Sequence, residues 1–161
     1  MGKVIGPYLP AVDPAAVAPR TGSAYPPVYA VAVAGREKRA LGDATGLSQF
    51  GVNLVRLPAG CASSQRHWHT KEDEFIYVVA GEVVLATNAG EQTLGSGMAA
   101  GFPAGQADGH CLFNRTTRDA IYLEVGSRNP EDVGEYSDVD LRAVPGEGSR
   151  RRFTRKNGQP Y

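Results

Sequence analysis

An all-β fold, a sandwich or barrel with an extended arm at each end, is what this sequence predicts. Three observations support that expectation. Short apolar runs alternate with turn residues across 28–128, 20 glycines and 11 prolines punctuate the chain, and little of it shows a helical period. Strands this short, closely spaced between Gly-rich turns, argue for a closed or double-layered β architecture. A chain of 161 residues is most simply one domain with a sizeable core.

Residues 1–27 contain Pro7, Pro10, Pro14, Pro19, Pro26 and Pro27. So many missing N–H donors leave no stable helix or central strand there. The segment reads as an arm lying across the domain or a partner subunit. Residues 36–46 have room for one helical turn. Strand patterns then follow at 50–57, 74–80, 82–87, 92–94, 110–114 and 120–125. Turn signals separate them at Pro58-Ala59-Gly60, Gly81, Asn88-Ala89-Gly90, Gly95-Ser96-Gly97 and Pro103-Ala104-Gly105. After Pro130 the chain is polar and acidic to Asp140, then basic through Arg150-Arg151-Arg152 and Arg155-Lys156. This is the pattern of a solvated or interfacial C-terminal arm. The division is therefore 1–27 arm, 28–128 barrel and 129–161 arm, one structural domain in all.

Seventeen basic and 17 acidic residues balance, so no field of one sign draws nucleic acid or a membrane surface. No N-terminal export pattern and no apolar run of about 18 residues is present, and a cytoplasmic location is expected. Cys61 and Cys111 are too few for a disulfide scaffold, although one bridge between them stays open.

The chemistry lies in the histidines. The chain has three, His67, His69 and His110, and none falls in the arms. Residues i and i+2 of a strand share a face, so His67 and His69 project together while Trp68 points away. Thr70-Lys71-Glu72-Asp73 is a polar connection, and if it is a hairpin Glu74 returns beside the pair. His110 must be brought in by the tertiary fold. The same parity sends Leu112 and Asn114 with His110, and turns Cys111 and Phe113 outward. Imidazole and carboxylate together are a common ligand set for a divalent transition metal.

Gly60, His67, His69, Glu74 and Gly81 resemble the first motif of the cupin superfamily. Gly97, Pro103, Gly105, His110 and Asn114 resemble the second. The resemblance spans residues 45–128 and implies a double-stranded β-helix, or jelly-roll, barrel holding one divalent metal. It implies that His67, His69, Glu74 and His110 are the four ligands. Two spacings depart from the common pattern: Gly60 stands further from His67, and Gln106-Ala107-Asp108-Gly109 lengthens the loop before His110, where Asp108 adds a polar group near the cavity mouth. Segments 124–128, 136–141 and 153–155 further resemble bacterial single-domain cupins labelled uncharacterised or, provisionally, sugar-phosphate isomerases.

Nitrogen and oxygen donors without thiolate admit zinc, manganese, iron, nickel, cobalt or copper. Three neutral imidazoles and one carboxylate leave a divalent ion a residual positive charge that favours anionic or enolate-like ligands, and octahedral geometry leaves two positions open. The first functional reading is a metal-dependent enzyme acting on a small polar or anionic metabolite by isomerase, epimerase or lyase chemistry, the metal stabilising an enediolate. That chemistry needs a general base, for which Glu124 and Tyr122 are candidates. Gln65, Asn53 and Asn114 are candidate substrate-binding groups, the first two also as partners of the ligands. The alternatives are a non-haem metal dioxygenase and a non-catalytic barrel that binds a small sugar or acid. A storage cupin ranks last, because the ligand set is complete. Trp68, Phe75, Tyr77, Val79 and Phe113 are read as one outward apolar surface, so a homodimer is expected.

Overall fold

Inward-facing residues on neighbouring strands explain how the barrel is built. The computed structural model describes residues 10–148 and 151–161; Pro7 and Arg150 lie outside them. Thirteen strands are present among these residues: β1 (Arg20–Thr21), β2 (Glu37–Ala40), β3 (Phe50–Leu57), β4 (His67–His69), β5 (Glu74–Ala80), β6 (Glu82–Thr87), β7 (Gly90–Gly95), β8 (Ala99–Phe102), β9 (Cys111–Phe113), β10 (Ala120–Ser127), β11 (Gly134–Tyr136), β12 (Arg142–Pro145) and β13 (Arg151–Thr154). They form a six-stranded sheet β1-β2-β3-β10-β5-β8, a four-stranded sheet β13-β12-β11-β4 and a three-stranded sheet β7-β6-β9. An antiparallel bridge between His67 and His110 joins β4 to the entrance of β9.

Register in the large sheet sorts the side chains into rows. Lys38 opposes Val55, Val55 opposes Tyr122, and Tyr122 opposes Val78. One row along, Asn53, Glu124 and Ile76 are opposite one another; the row beyond that holds Gly51, Gly126, Glu74 and Phe102. Residues directly opposite share a face, so these rows line the interior. At one end the interior is apolar: Val55, Leu57, Ile76, Val78, Val83, Leu85, Leu94, Leu112, Ala120 and Tyr122 form the main core between the six- and three-stranded sheets. At the other end the same strands turn in Lys38, Asn53, Glu74 and Glu124. The barrel therefore has a packed end and a polar end, and a site can form only at the second.

Helical structure is brief, as expected. One turn, α2 (Leu41–Ala44), falls within 36–46, and a second, α1 (Pro27–Ala30), begins with proline where the absent N–H costs nothing, then runs into a 3₁₀ turn at Val31–Val33. Gly81 joins β5 to β6 with φ +78°, and a Cβ there would lie 2.8 Å from the Asp119 carbonyl oxygen. No helix among the described residues is long and apolar enough to cross a membrane.

Three sequence expectations need correction. The 70–73 connection is not a hairpin: β4 pairs with β11, and β5 pairs with β10 and β8. The chain crosses from one sheet to the facing one, which still brings Glu74 to the histidines. Segment 129–161 supplies β11, β12 and β13, and Tyr136, Leu141 and Ala143 build a second small core with Tyr25, Tyr29 and Phe153. Finally, Cys111 does alternate away from Leu112 but is only 2% exposed, and it shares a small cavity wall with Ala32, Ala62 and Arg66. Burial pushes its thiol pKa up to about 12, and both cysteines are free.

Candidate metal centre

Three imidazoles converge on one carboxylate oxygen. Glu74 Oε2 lies 2.9 Å from His110 Nε2, 3.5 Å from His69 Nε2 and 3.6 Å from His67 Nε2. The donor atoms of His67, His69 and Glu74 all fall within 4.8 Å of one another. Each arrives from a different place in the fold: the histidine pair on β4, Glu74 at the start of β5, and His110 at the bridge before β9. Phe102 stacks flat on the His110 ring, with centroids 3.5 Å apart and planes within 3°, and so fixes its plane.

The ring hydrogen bonds of His67 and His69 favour metal binding. His67 Nδ1 donates to the Gln65 carbonyl at 2.9 Å, and His69 Nδ1 donates to Asp132 Oδ2 at 2.6 Å. A carbonyl or carboxylate can only accept, so in both rings the proton sits on Nδ1 and the Nε2 lone pair faces Glu74. His110 Nδ1 is buried without a hydrogen-bond partner. Burial also holds His67 neutral, its pKa lowered to about 4 despite the nearby Glu74 charge. Burial by itself would raise the Glu74 pKa; the His110 hydrogen bond and the flanking imidazoles outweigh it and keep the carboxyl well below its usual range. A neutral His67 and an ionised Glu74 are in the protonation states a metal requires. The donor set thus fits one divalent transition ion.

Asp132, which the sequence reading did not single out, is the main support of this cluster. It sits on the turn after Pro130 with a fully buried side chain. Besides His69 it accepts from the Lys71 backbone N–H at 2.8 Å. Arg151 of β13 donates to the Asp132 carbonyl, and its Nη2 lies 2.8 Å from Glu72 Oε1. Glu72, Asp132 and His69 also lie close enough to hold an ion, but the Arg151 guanidinium already pairs with both carboxylates. Of the two readings of the basic C-terminal segment, solvated or interfacial, Arg151 does not fit the solvated one, because it pairs with Glu72 and Asp132. Nothing in the local sequence around Asp132 or Arg151 marks these roles.

The cluster lies between two openings. The larger cavity, about 650 Å³, is lined by Lys38, Tyr122, Glu124, Arg36 and Arg151 as well as the ligand residues. The smaller, about 310 Å³, runs past Trp68, Glu72, Gln106 and Asp108. Asp108 does stand at a cavity wall, but its carboxylate is occupied by the Asn88 N–H at 2.7 Å.

Glu124 and Tyr122 both face the larger cavity. Glu124 Oε1 accepts from Lys38 Nζ at 2.6 Å and from Asn53 Nδ2 at 3.1 Å. Burial works against its charge, yet Lys38 prevails and the carboxyl pKa stays below its usual value. Tyr122 is fully buried, and its hydroxyl, beside Ser63, lacks a partner in hydrogen-bond geometry. Burial and the Glu124 charge keep it protonated. Asn53 reaches the cavity only through Glu124. Two other expected groups are not brought to the site. The Gln65 side chain donates to the Tyr29 carbonyl at 3.0 Å, and only its backbone oxygen serves His67. Asn114 is spent on its own turn, donating to the Leu57 and Arg118 carbonyls and accepting from Thr116.

Comparison with known proteins agrees with this fold. The sequence model of the cupin domain matches residues 53–126. A sugar phosphate isomerase of the cupin superfamily from Silicibacter pomeroyi DSS-3 is 45% identical, with TM-score 0.90 over 94% of this chain and 96% of its own. A provisionally named sugar phosphate isomerase from Acidithiobacillus ferrooxidans ATCC 23270 is 27% identical, with TM-score 0.70 over 79% of this chain and 80% of its own. A predicted oxalate decarboxylase from Thermotoga maritima shares the fold at 19% identity and TM-score 0.59, over 73% of this chain and 97% of its own. No curated protein matches the sequence.

Proposed function

This chain belongs to the cupin superfamily, and from that premise we propose that it is a metal-dependent isomerase of a small anionic metabolite, of the sugar phosphate class. The observation behind this reading is the convergence of three imidazole Nε2 atoms on Glu74 at the wall of a cavity that also presents Glu124 and Tyr122. The similarity to a sugar phosphate isomerase over nearly the whole chain supports the substrate class.

His67, His69, Glu74 and His110 would hold the ion. When bound, it supplies a Lewis-acidic charge for a substrate oxygen. The remaining work falls to the chain. Both contacts of Glu124 fall on Oε1, which leaves Oε2 to take the proton from the hydroxyl-bearing carbon next to the substrate carbonyl and return it to the former carbonyl carbon, while the proton of that hydroxyl passes to the former carbonyl oxygen. Lys38 keeps that carboxyl ionised before the transfer. The apolar rows behind Tyr122 keep bulk water from that end.

The test combines metal analysis with exchange of the carbon-bound proton of aldose and ketose phosphates, followed by proton NMR in D₂O. The wild-type protein should hold about one ion and catalyse exchange, and His67→Ala/His69→Ala should lose both. Glu124→Gln should keep the metal and lose exchange by roughly 10²–10⁴-fold. Undiminished turnover in the metal-free double variant would sink the proposal.

We also propose a homodimer through the outer face of the large sheet. Phe75, Tyr77 and Val79 are 44%, 40% and 44% exposed on β5. Leu123 and Val125 of β10 stand opposite Tyr77 and Phe75 and continue the same apolar face. Trp68 and Phe113 lie on the other two sheets, so the expected surface is narrower than the sequence suggested. Tyr77→Glu should convert a dimer to a monomer in light scattering; a wild-type monomer would refute this.

A further inference from the structure

Four cations line the larger cavity, and the ion pairs sort them. Lys38 is held by Glu124 at 2.6 Å, Arg151 by Glu72 at 2.8 Å, and Arg20 approaches Asp43 at 3.8 Å on the exposed rim. Arg36 is the remaining one. Among the described residues it has no carboxylate at ion-pair distance. Its Nη1 donates to the Ser63 carbonyl, and its Nε–H is buried with no partner at all. A guanidinium is always charged and offers five N–H donors. Leaving it half-buried without an anion costs stability that a bound anion would restore.

Arg36 does not stand alone. The Ser63 carbonyl that it contacts belongs to a residue whose Oγ accepts the Leu112 N–H at 2.9 Å, so its hydroxyl proton points to other partners on the cavity side. Ser64 Oγ lies 3.3 Å from Ser63 Oγ and lines the same cavity. The Tyr122 hydroxyl, beside Ser63, is the other buried donor there without a partner. A guanidinium and three hydroxyls approach one place from different elements: the entrance of β2, the 63–64 loop and β10. Donors spread in this way suit a tetrahedral anion with three terminal oxygens better than a planar carboxylate, which a single guanidinium fork already saturates.

We infer that Arg36, with Ser63, Ser64 and Tyr122, is the anchor for a phosphate group, so that the substrate is a phosphate monoester spanning this anchor and the histidine cluster. The inference deepens the isomerase reading and relies on it only for the reacting end of the substrate. Arg36 sets which substrates enter; the cluster acts on them.

Titration calorimetry of inorganic phosphate into chelator-treated protein tests the anchor without any metal. Wild-type protein should bind saturably. Arg36→Met should weaken binding by roughly tenfold or more, Arg36→Lys should recover part of the loss, and Arg20→Met should bind nearly as wild type does. A measurement on unmutated protein guards against misfolding of the variants: phosphate should protect Arg36, and not Arg20, from phenylglyoxal in peptide mapping. Absence of saturable binding, equal binding by Arg36→Met, or protection of Arg20 instead would overturn the anchor. Tighter binding of malonate than phosphate would overturn the choice of phosphate. His67→Ala/His69→Ala should retain the phosphate site, so a failed metal reading and a failed anchor give different results.

Discussion

The His69–Asp132 pair is where one side chain most directly governs another's chemistry. Asp132 fixes the imidazole's tautomer and plane, and is itself held by the Lys71 N–H and Arg151. Replacing it with Asn keeps the shape but removes the charge that raises the His69 pKa against the effect of burial. Metal affinity in Asp132→Asn should fall by roughly 10–100-fold in chelator competition; unchanged affinity would show that the ring is held by packing alone. Cys111 makes a second prediction at this scale. Buried and with its pKa pushed up to about 12, it should resist a thiol reagent at pH 8 in native protein and react fully in denaturant. Rapid native labelling at Cys111, mapped by mass spectrometry, would contradict the packing described.

At the scale of elements, the site depends on connections rather than on strand interiors. The β5–β6 turn at Gly81 moves the chain from the six-stranded sheet to the three-stranded one with positive φ and almost no room for a side chain. Gly81→Ala should cost roughly 1–3 kcal/mol in chemical denaturation, through backbone strain and overpacking together. A denaturation midpoint equal to wild type would show that the turn can relax. The loop before His110 is tight in a different way. A Cβ on Gly109 would fall 2.0 Å from Ser137 Oγ, so the added loop residues reach the cavity wall only because glycine closes them.

For the whole molecule, the cluster makes folding stability depend on pH. In chelator-treated protein, Glu74, Glu124 and Asp132 all have lowered pKa values. The unfolded chain binds more protons than the folded one as pH falls, so their contribution is present above the ordinary carboxylate range and lost below it. His67 acts in the same direction earlier, because its value drops from 6.5 to about 4. His69, with a raised value, acts in the opposite direction: its contribution is full below 6.5 and fades as pH rises through its folded value. The melting temperature of metal-free protein should therefore decline from about pH 6.5 to pH 4 and more steeply below. Adding zinc at pH 7.5 should raise it in a concentration-dependent way. A flat acid profile would argue against the electrostatics assigned to the cluster.

The sequence by itself determined the all-β class, the strands of the packed core and the histidine–glutamate set. Strands 50–57, 74–80 and 82–87 were legible because apolar alternation and glycine turns are local properties of the chain. Others were not. Glu37–Ala40 is a charged strand whose residues find their partners across the sheet, Glu37 on Arg56 and Lys38 on Glu124, and Ala99–Phe102 has almost no side chain bulk to reveal its period. Only the tertiary structure decided what surrounds the ligands. Asp132, Arg151 and Arg36 stand far from the histidines in the chain, or in segments that read as arms. Their roles follow from pairings between β4 and β11, and between β2 and β3, that bring distant charges into one buried space. Burial is a property of the closed barrel, and it is burial that sets these ordinary charged residues against the histidine cluster and the cavity wall.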